Sequence, residues 1–263
     1  MQLPVNHFKR ALASGKPQYG IWSALGNAIG IEQVAAADFD WMALDAEHAP
    51  NEVLTILAQL QTVAAYRSCP VVRLPSRNAT LIKRYLDIGA QNLLIPMVDT
   101  AEQARELVAA TRYAPAGMRG MATMTRAARW SRVPDYVQRA HEEICLMVQI
   151  ESVTASQNVD AIAATDGVDA LFIGPTDLAA SMGHGGQANH PEVVTAVKRV
   201  LGRIRAAGKA AGILCLDEKL VQPYIEAGCN FIAVGVDVVL LTRAVDALRA
   251  KYLGTATATP AGY

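Results

Sequence analysis

The stretches CLMVQIES (residues 145–152) and ALFIGPTDLA (residues 170–179) decide the fold that we expect for this chain. Each is a short apolar run that ends in polar residues, and the second turns at Gly-Pro into a helical pattern. Continuously apolar strands indicate a parallel sheet whose two faces are both buried. An unpaired buried carboxylate is costly, so Glu151 and Asp177, each at a strand's end, predict a shared Mg²⁺ or Mn²⁺. The alternative is that Asp177 only caps a helix and Glu151 lies on the surface.

The same strand-and-helix unit repeats along the whole chain. Strands are predicted at Gln18–Ala24, Trp41–Asp45, Cys69–Arg73, Asn92–Pro96, Cys145–Glu151, Ala170–Gly174, Ala210–Leu214 and Phe231–Gly235. Apolar residues at helical spacing follow the strands, for example in Glu52–Ala65, Ala101–Thr111, Glu192–Ala207 and Val238–Tyr252. Similar helix-to-strand turns recur at AAADFD, DIGAQN, ATDGVDA and EAGCNF. Eight such units predict a single (β/α)₈ barrel domain over residues 1–263, preceded by a short amphipathic N-terminal helix.

Composition restricts the classes of partner and compartment. The chain has 263 residues, of which 52% are hydrophobic, and its formal net charge is zero. The absence of a basic excess argues against nucleic acid as a partner, and no apolar run is long enough to predict a membrane span. The four cysteines show no CxxC spacing, so we expect buried, reduced thiols in a cytoplasmic protein. The segment 254–263 is expected to be a mobile tail unless a partner orders it.

Two segments interrupt the repeat. Tyr113–Pro134 is too long for a simple connection and carries four arginines, and we expect Arg119, Arg126 or Arg129 to approach the active-site mouth. Met182–Pro191 is a turn containing glycine and histidine. The histidines outside strand ends, which are His7, His141, His184 and His190, are expected to form no metal-ligand cluster.

Active sites of (β/α)₈ barrels lie at the carboxyl ends of the strands. That rule selects the polar or aromatic residues Trp22, Asp45, Glu47, His48, Arg73, Gln149, Glu151 and Asp177, together with Leu214. These residues suit a metal-assisted reaction of a small anionic substrate, because they supply an acid–imidazole pair, an arginine, an amide and two carboxylates. Two alternatives stay open: His48 could cap the next helix, and Arg73 could be an ion-pair partner of Asp45 or Glu47. Because no lysine ends a strand, a Schiff-base mechanism is disfavoured.

The motifs DWMALDAEHAPN, PVVR, LMVQIES, IGPTDLA and AGIL, in this order, resemble the HpcH/HpaI aldolase family over nearly the whole chain. The resemblance implies a class II pyruvate aldolase on a (β/α)₈ barrel, which uses Mg²⁺, Mn²⁺ or Co²⁺ and no organic cofactor. It implies pyruvate or oxaloacetate and an aldehyde as ligands. It also implies a hexamer that exchanges its last helix between subunits, in agreement with the wide apolar surface of VVLLTRAVDALRAKY.

The resemblance also implies a role for each site residue. Glu151 and Asp177 are then the metal ligands, and His48 is the catalytic base with Asp45 as its orienting partner. Arg73 steadies the keto or enolate oxygen of the substrate. The expected substrate-binding residues are Trp22, Gln149, Gly174, Thr176, Asp177 and Leu214. Three alternatives are a 2-keto-3-deoxy sugar-acid aldolase, a CoA-thioester lyase that uses the arginine-rich segment, and an inactive binding barrel.

Overall fold

Eight parallel strands pair in sequence order, and the last pairs with the first, so the sheet closes into a barrel. The computed structural model describes residues 1–254, and it confirms the predicted (β/α)₈ fold. The strands are β1 (Gln18–Ser23), β2 (Trp41–Asp45), β3 (Cys69–Arg73), β4 (Asn92–Ile95), β5 (Cys145–Ile150), β6 (Ala170–Ile173), β7 (Ala210–Leu214) and β8 (Phe231–Val236). Each observed strand falls within one residue of the predicted bounds. Except for Gly254, the predicted tail lies outside the described residues.

Helices connect the strands and cover the outside of the barrel. They are α1 (His7–Ala13), α2 (Ala28–Ala35), α3 (Val53–Val63), α4 (Ala79–Asp87), α5 (Ala101–Thr111), α6 (Tyr136–Arg139), α7 (Val153–Gln157), α8 (Val159–Ala163), α9 (Pro175–Ser181), α10 (Pro191–Ala206), α11 (Glu218–Glu226) and α12 (Asp237–Leu253). Polar side chains cap several of their first turns; the Asn78 side chain accepts from the backbone N–H of Thr80 at 2.9 Å. Among the helices of residues 1–254, each is too short or too polar to cross a bilayer.

The barrel interior is filled by side chains from alternate strand positions, as the two-residue period of a strand requires. Trp41 and Ala43 of β2 and Phe172 of β6 pack in this inner cluster. The intervening residues, such as Met42 and Leu44, pack outward against the helices. Glycine makes room for the aromatic rings: a Cβ at Gly212 would lie 2.3 Å from the ring of Phe231. The same alternation therefore decides which strand-end residues face the barrel axis.

The N-terminal helix α1 closes the end of the barrel at which the strands begin. The ring of Phe8 is buried, with its centroid 5.8 Å from that of Trp41 and 6.0 Å from that of Phe231. The Asn6 side chain starts the helix by accepting from the backbone N–H of Lys9 at 3.0 Å. In the part of the chain that the structure describes, the barrel is thus open only where the strands end.

Three of the four predicted helix-to-strand turns use glycine in a left-handed conformation. The φ angles are +96° at Gly89, +90° at Gly167 and +116° at Gly228. The turn AAADFD contains no glycine, and Asp38 takes the same region with φ 57°. Aspartate tolerates this conformation better than most residues because its short side chain can hydrogen-bond locally.

The arginine-rich segment Tyr113–Pro134 lies at the closed end of the barrel, not at the mouth. It follows α5 and leads through the short helix α6 to β5, and a helix-to-strand connection lies where strands begin. The buried Arg119 side chain donates to Asp87 at 2.7 Å, and Arg126 donates to the Ile88 carbonyl at 2.8 Å, both at the end of α4. Within one chain, the expectation that Arg119, Arg126 or Arg129 reaches the mouth is therefore wrong.

The last helix, α12, is anchored only at its start. The Asp237 carboxylate accepts from the Ser23 hydroxyl at 2.5 Å and from the backbone N–H of Ala24 at 2.9 Å. Beyond the first turn the helix is exposed, including six large apolar side chains: Leu240, Leu241, Val245, Leu248, Tyr252 and Leu253. A helix of this kind leaves apolar surface uncovered in the single chain.

Candidate active site

Asp45 and Arg73 form the most buried ion pair at the open end of the barrel. They are register partners at the ends of β2 and β3. Arg73 donates from Nε to Asp45 Oδ1 at 2.9 Å and from Nη2 to Oδ2 at 2.6 Å, while its Nη1 lies 2.9 Å from Glu47 Oε2. Burial opposes the charge of Asp45, but the hydrogen bonds and charge of Arg73 lower its pKa. The alternative that Arg73 is an ion-pair partner of Asp45 or Glu47 is therefore observed, with both carboxylates.

Trp22, Asn51 and Gln59 hold this ion pair in place. The Trp22 indole N–H donates to Asp45 Oδ2 at 3.3 Å, and its ring lies 4.7 Å from the Arg73 guanidinium carbon. The Asn51 amide donates to the Asp45 carbonyl at 2.6 Å and accepts from Gln59 at 2.7 Å. Sequence reasoning missed both amides. The sequence does place Gln59, a polar residue, on the buried face of α3, and a buried amide of this kind indicates a hydrogen-bonding partner inside the protein.

His48 projects into the mouth, with its side chain 68% exposed. Its Nε2 lies 3.9 Å from Glu47 Oε2. The Asp45 carboxylate accepts from the backbone N–H of His48 at 3.3 Å; among the described residues, it makes no hydrogen bond to the imidazole. The alternative that His48 caps the next helix is wrong, because the N-cap of α3 is Glu52.

Glu151 is a buried carboxylate directly after β5. Its Oε1 accepts from the backbone N–H of Met97 at 2.5 Å, and its Oε2 accepts from Gln149 Nε2 at 2.7 Å. Burial raises its pKa to about 7, assisted by the negative charges of Glu47 and Asp177. Met97, which sequence reasoning missed, adopts an uncommon positive φ of 56° that directs this N–H. The surface alternative for Glu151 is therefore wrong.

Gly174 lets the Glu151 carboxylate pack close to the backbone, and Gln149 places a buried acceptor beside it. A Cβ at position 174 would lie 2.5 Å from Glu151 Oε2, so only glycine fits there. The Gln149 Oε1 atom is buried and has no hydrogen-bond partner among the described residues. An unpartnered buried acceptor beside a carboxylate is suited to a ligand that brings a donor.

Asp177 and Thr176 lie in the first turn of α9, immediately after β6, and both are exposed to the mouth. The charge of Asp177 acts on both Glu47 and Glu151, so three carboxylates converge at this end of the barrel. Thr176 and Leu214, the last residue of β7, line an adjoining open depression. All the strand-end residues selected from the sequence thus lie at one end of one barrel.

His184 and His190 do come together, contrary to the sequence-based expectation. Their rings stack with centroids 3.8 Å apart, and their ligand atoms lie within 4.8 Å of those of Glu192. The turn between α9 and α10 folds back on itself, and residue spacing alone does not reveal that geometry. The remaining two histidines, His7 and His141, belong to no such group within residues 1–254.

Comparisons with known proteins match nearly the whole chain. The family model described as HpcH/HpaI aldolase/citrate lyase matches residues 18–244. A hydroxypyruvate/pyruvate aldolase of Deinococcus radiodurans is 55% identical, covering 94% of this chain and 90% of that protein. A 4-hydroxy-2-oxo-heptane-1,7-dioate aldolase of Escherichia coli is 49% identical, covering 98% of both. The crystal structure of a family member from Burkholderia cenocepacia has a TM-score of 0.90 at 42% identity, covering 94% of this chain and 99% of that one.

Proposed function

Because the chain belongs to the HpcH/HpaI aldolase/citrate lyase family and is a carbon–carbon lyase, we propose that it is a class II, divalent-metal-dependent pyruvate aldolase. It reversibly cleaves 4-hydroxy-2-oxo acids, such as 4-hydroxy-2-oxoheptanedioate, to pyruvate and an aldehyde, here succinic semialdehyde. The observation that carries the proposal is the placement of Glu151 and Asp177 opposite the Asp45–Arg73 pair at the open end of the barrel.

The residues present fit a divalent cation. Glu151 is buried and its pKa is raised to about 7, in part by the charges of Glu47 and Asp177. A cation between these carboxylates would relieve that repulsion and favour the ionised form of Glu151. Carboxylate oxygens are ligands that Mg²⁺, Mn²⁺ and Co²⁺ accept. Glu151 and Asp177 are therefore the proposed ligands, and when bound the cation supplies Lewis acidity toward the 2-oxo group.

Arg73 stabilises negative charge at the 2-oxo oxygen. During cleavage the C3–C4 bond breaks, and its electron pair moves toward that oxygen. The guanidinium is fixed by Asp45 and Glu47 and stacked on Trp22, so its charge is already in position. A preorganised charge stabilises the transition state without reorganisation at the moment of reaction.

His48 is the proposed base for the 4-hydroxyl group. Its exposed ring can take the proton as the C3–C4 bond breaks and return it in the reverse direction. Asp45 orients His48 through the backbone N–H of that residue, and Glu47 is the nearest carboxylate to the ring. Gln149 positions Glu151 and offers its free oxygen to the substrate. Trp22, Gly174, Thr176 and Leu214 are the proposed walls of the substrate pocket.

The comparisons favour one second candidate. The Deinococcus relative, at 55% identity, is a hydroxypyruvate/pyruvate aldolase, so hydroxypyruvate is an alternative donor for the same site. A 2-keto-3-deoxy sugar-acid substrate would need only a different aldehyde fragment. The CoA-thioester lyase alternative loses its support, because the segment carrying Arg119 and Arg126 lies at the opposite end of the barrel.

A pyruvate-release assay with and without EDTA tests the proposal. We expect cleavage of 4-hydroxy-2-oxo acids that EDTA abolishes and added Mg²⁺, Mn²⁺ or Co²⁺ restores. A panel of such acids, run beside aldol additions of pyruvate and of hydroxypyruvate, then identifies the donor and the aldehyde. Cleavage that persists at full rate after complete metal removal would contradict the metal-dependent mechanism.

A further inference from the structure

A second group of potential metal ligands lies in the turn between α9 and α10. His184 Nε2 is 3.1 Å from Glu192 Oε2, and the His184 and His190 rings stack at 3.8 Å with an interplanar angle of 18°. One ligand atom from each of the three residues lies within 4.8 Å of the others. Both rings are partly buried, whereas Glu192 is exposed in the first turn of α10.

The backbone of this turn is organised before any ligand arrives. The N–H of His184 donates to the Ala179 carbonyl at 2.8 Å, and the N–H of His190 donates to the Gln187 carbonyl at 2.9 Å. Gly183, Gly185 and Gly186 have φ angles of +86°, +56° and +79°, a region that other residues seldom adopt. Backbone hydrogen bonds and glycine conformations thus help to hold the two rings together.

We propose that His184, His190 and Glu192 form a binding site for a divalent transition metal, separate from the carboxylate site in the barrel. Imidazole nitrogens with one carboxylate suit Zn²⁺, Ni²⁺ and Cu²⁺, whereas Mg²⁺ prefers an all-oxygen set. Three protein ligands leave the fourth tetrahedral position to water. Ligand atoms in such a site are about 3.4 Å apart, and imidazole lone pairs lie in the ring plane, so the two stacked rings must tilt away from parallel to bind one ion.

His190 also has a structural role, which the proposal must accommodate. Its Nδ1 accepts from the backbone N–H of Glu192 at 3.3 Å and so caps α10. In that state the neutral ring carries its proton on Nε2; metal binding at Nε2 moves the proton to Nδ1 and gives up the cap. The positive end of the α10 dipole opposes a cation, and the Glu192 carboxylate offsets that effect. Binding therefore exchanges this cap and the 3.1 Å contact between His184 and Glu192 for bonds to the metal.

Zinc titration of the untagged full chain, by calorimetry in excess Mg²⁺, tests the site. The Mg²⁺ occupies the carboxylate site, so the wild-type chain should show one further zinc equivalent. His184→Ala should weaken that equivalent at least about tenfold, since even an outer-shell partner is worth that much. His190→Asn is the sharper variant, because asparagine keeps a helix-capping oxygen but lacks the imidazole.

Three controls make the result decisive. His7→Ala and His141→Ala remove exposed histidines outside the group and should leave zinc binding unchanged. Glu151→Gln should also retain the second equivalent, which separates it from the catalytic metal. Wild-type zinc affinity in both His184→Ala and His190→Asn would overturn the proposal. Loss of the equivalent in Glu151→Gln would overturn it as well, by placing the zinc in the barrel.

Discussion

Arg73 engages the Asp45 carboxylate with two nitrogens, at 2.9 Å from Nε and 2.6 Å from Nη2, and the two residues are register partners on adjacent strands. The third nitrogen of the guanidinium group is 2.9 Å from Glu47, and the ring of Trp22 stacks against its face. Planar guanidinium and carboxylate groups match in this two-bond geometry, which a lysine ammonium cannot reproduce. The orientation of Arg73 is therefore fixed from three sides.

Arg73→Lys should lower kcat by more than about tenfold, because lysine keeps the positive charge but lacks the planar guanidinium group that Asp45 and Glu47 hold in place. Metal affinity should remain near that of the wild type, since Arg73 is not a proposed ligand. Steady-state cleavage assays and Mn²⁺ calorimetry measure the two effects. Arg77→Lys, at an exposed position after β3, is the matched control. An unchanged kcat in Arg73→Lys would leave the residue with only a structural role.

Glu151→Gln and Asp177→Asn should each abolish divalent-metal binding and cleavage while preserving the fold, because each removes a proposed anionic ligand. Calorimetric titration with Mn²⁺ measures binding, and circular dichroism checks the fold. Asp166→Asn, which changes a carboxylate that is 96% exposed, provides the control. If either site variant binds Mn²⁺ with normal affinity, that residue is not a ligand.

His48→Ala should reduce aldol cleavage by roughly 10²–10⁴-fold, the usual contribution of a general base. Oxaloacetate decarboxylation requires no removal of a hydroxyl proton, so it should be reduced less. Comparing the two rates in the same preparation separates a base from a residue that only shapes the site. His141→Ala serves as the control, and equal losses in both reactions would argue against the role of base.

The metal-free protein should become less stable as the pH rises from about 5 to about 8. The pKa of Glu151 is raised to about 7 by burial and by the charges of Glu47 and Asp177. An unfolded glutamate titrates near about 4.3, so between the two values the folded chain holds a proton that the unfolded chain has released. The unfolding free energy therefore falls with rising pH, by at most roughly 3 kcal/mol from this group.

Denaturant unfolding in EDTA across this pH range measures the dependence. Glu151→Gln cannot ionise at this position, so its stability should vary less with pH than that of the wild type. Identical pH profiles for the two proteins would show that Glu151 does not carry the effect.

The exposed helix α12 should pack on another subunit of a homo-oligomer, which the family resemblance predicts to be a hexamer. Leu241, Val245, Leu248 and Tyr252 form one apolar stripe, and their side chains are between 54% and 72% exposed in the single chain. The double variant Leu241→Glu, Leu248→Glu should shift the mass measured by light scattering to smaller species. Ala250→Glu adds a charge on the opposite face and should not. A stable, active wild-type monomer would contradict this prediction.

The barrel and the strand-end part of the site were predictable because both depend on short-range patterns. The apolar runs located all eight strands, and the two-residue period placed Gln149 beside Glu151, whose side chains are 2.7 Å apart. The rule that chemistry lies at the carboxyl ends of the strands then brought Asp45, Arg73 and Asp177 to one end. Each step needs only the local sequence and the topology of the barrel.

The misplaced features have two causes: one expectation conflicts with the barrel topology itself, and the others depend on backbone conformations that the sequence does not indicate. The arginine-rich segment was expected at the mouth, although its position between α5 and β5 assigns it to the closed end, where Asp87 binds Arg119. The contact of Met97 with Glu151 requires a positive φ that nothing in the sequence around Met97 indicates. The meeting of His184 and His190 depends on several consecutive turn conformations, which residue spacing does not encode.

The aromatic floor formed by Phe8, Trp41 and Phe231 also determines the order in which ligands can move. In a site with a single opening, a ligand bound at the bottom must enter before a ligand bound near the opening, and it can leave only after that ligand. Glu151 lies deep, only 4% exposed, whereas the His48 side chain near the surface is 68% exposed. We therefore expect a fragment held beside Glu151 to bind first and leave last, and the fragment beside His48 to leave ahead of it. On this expectation, the closed barrel bottom sets the order of release, and the relative affinities of the two fragments do not.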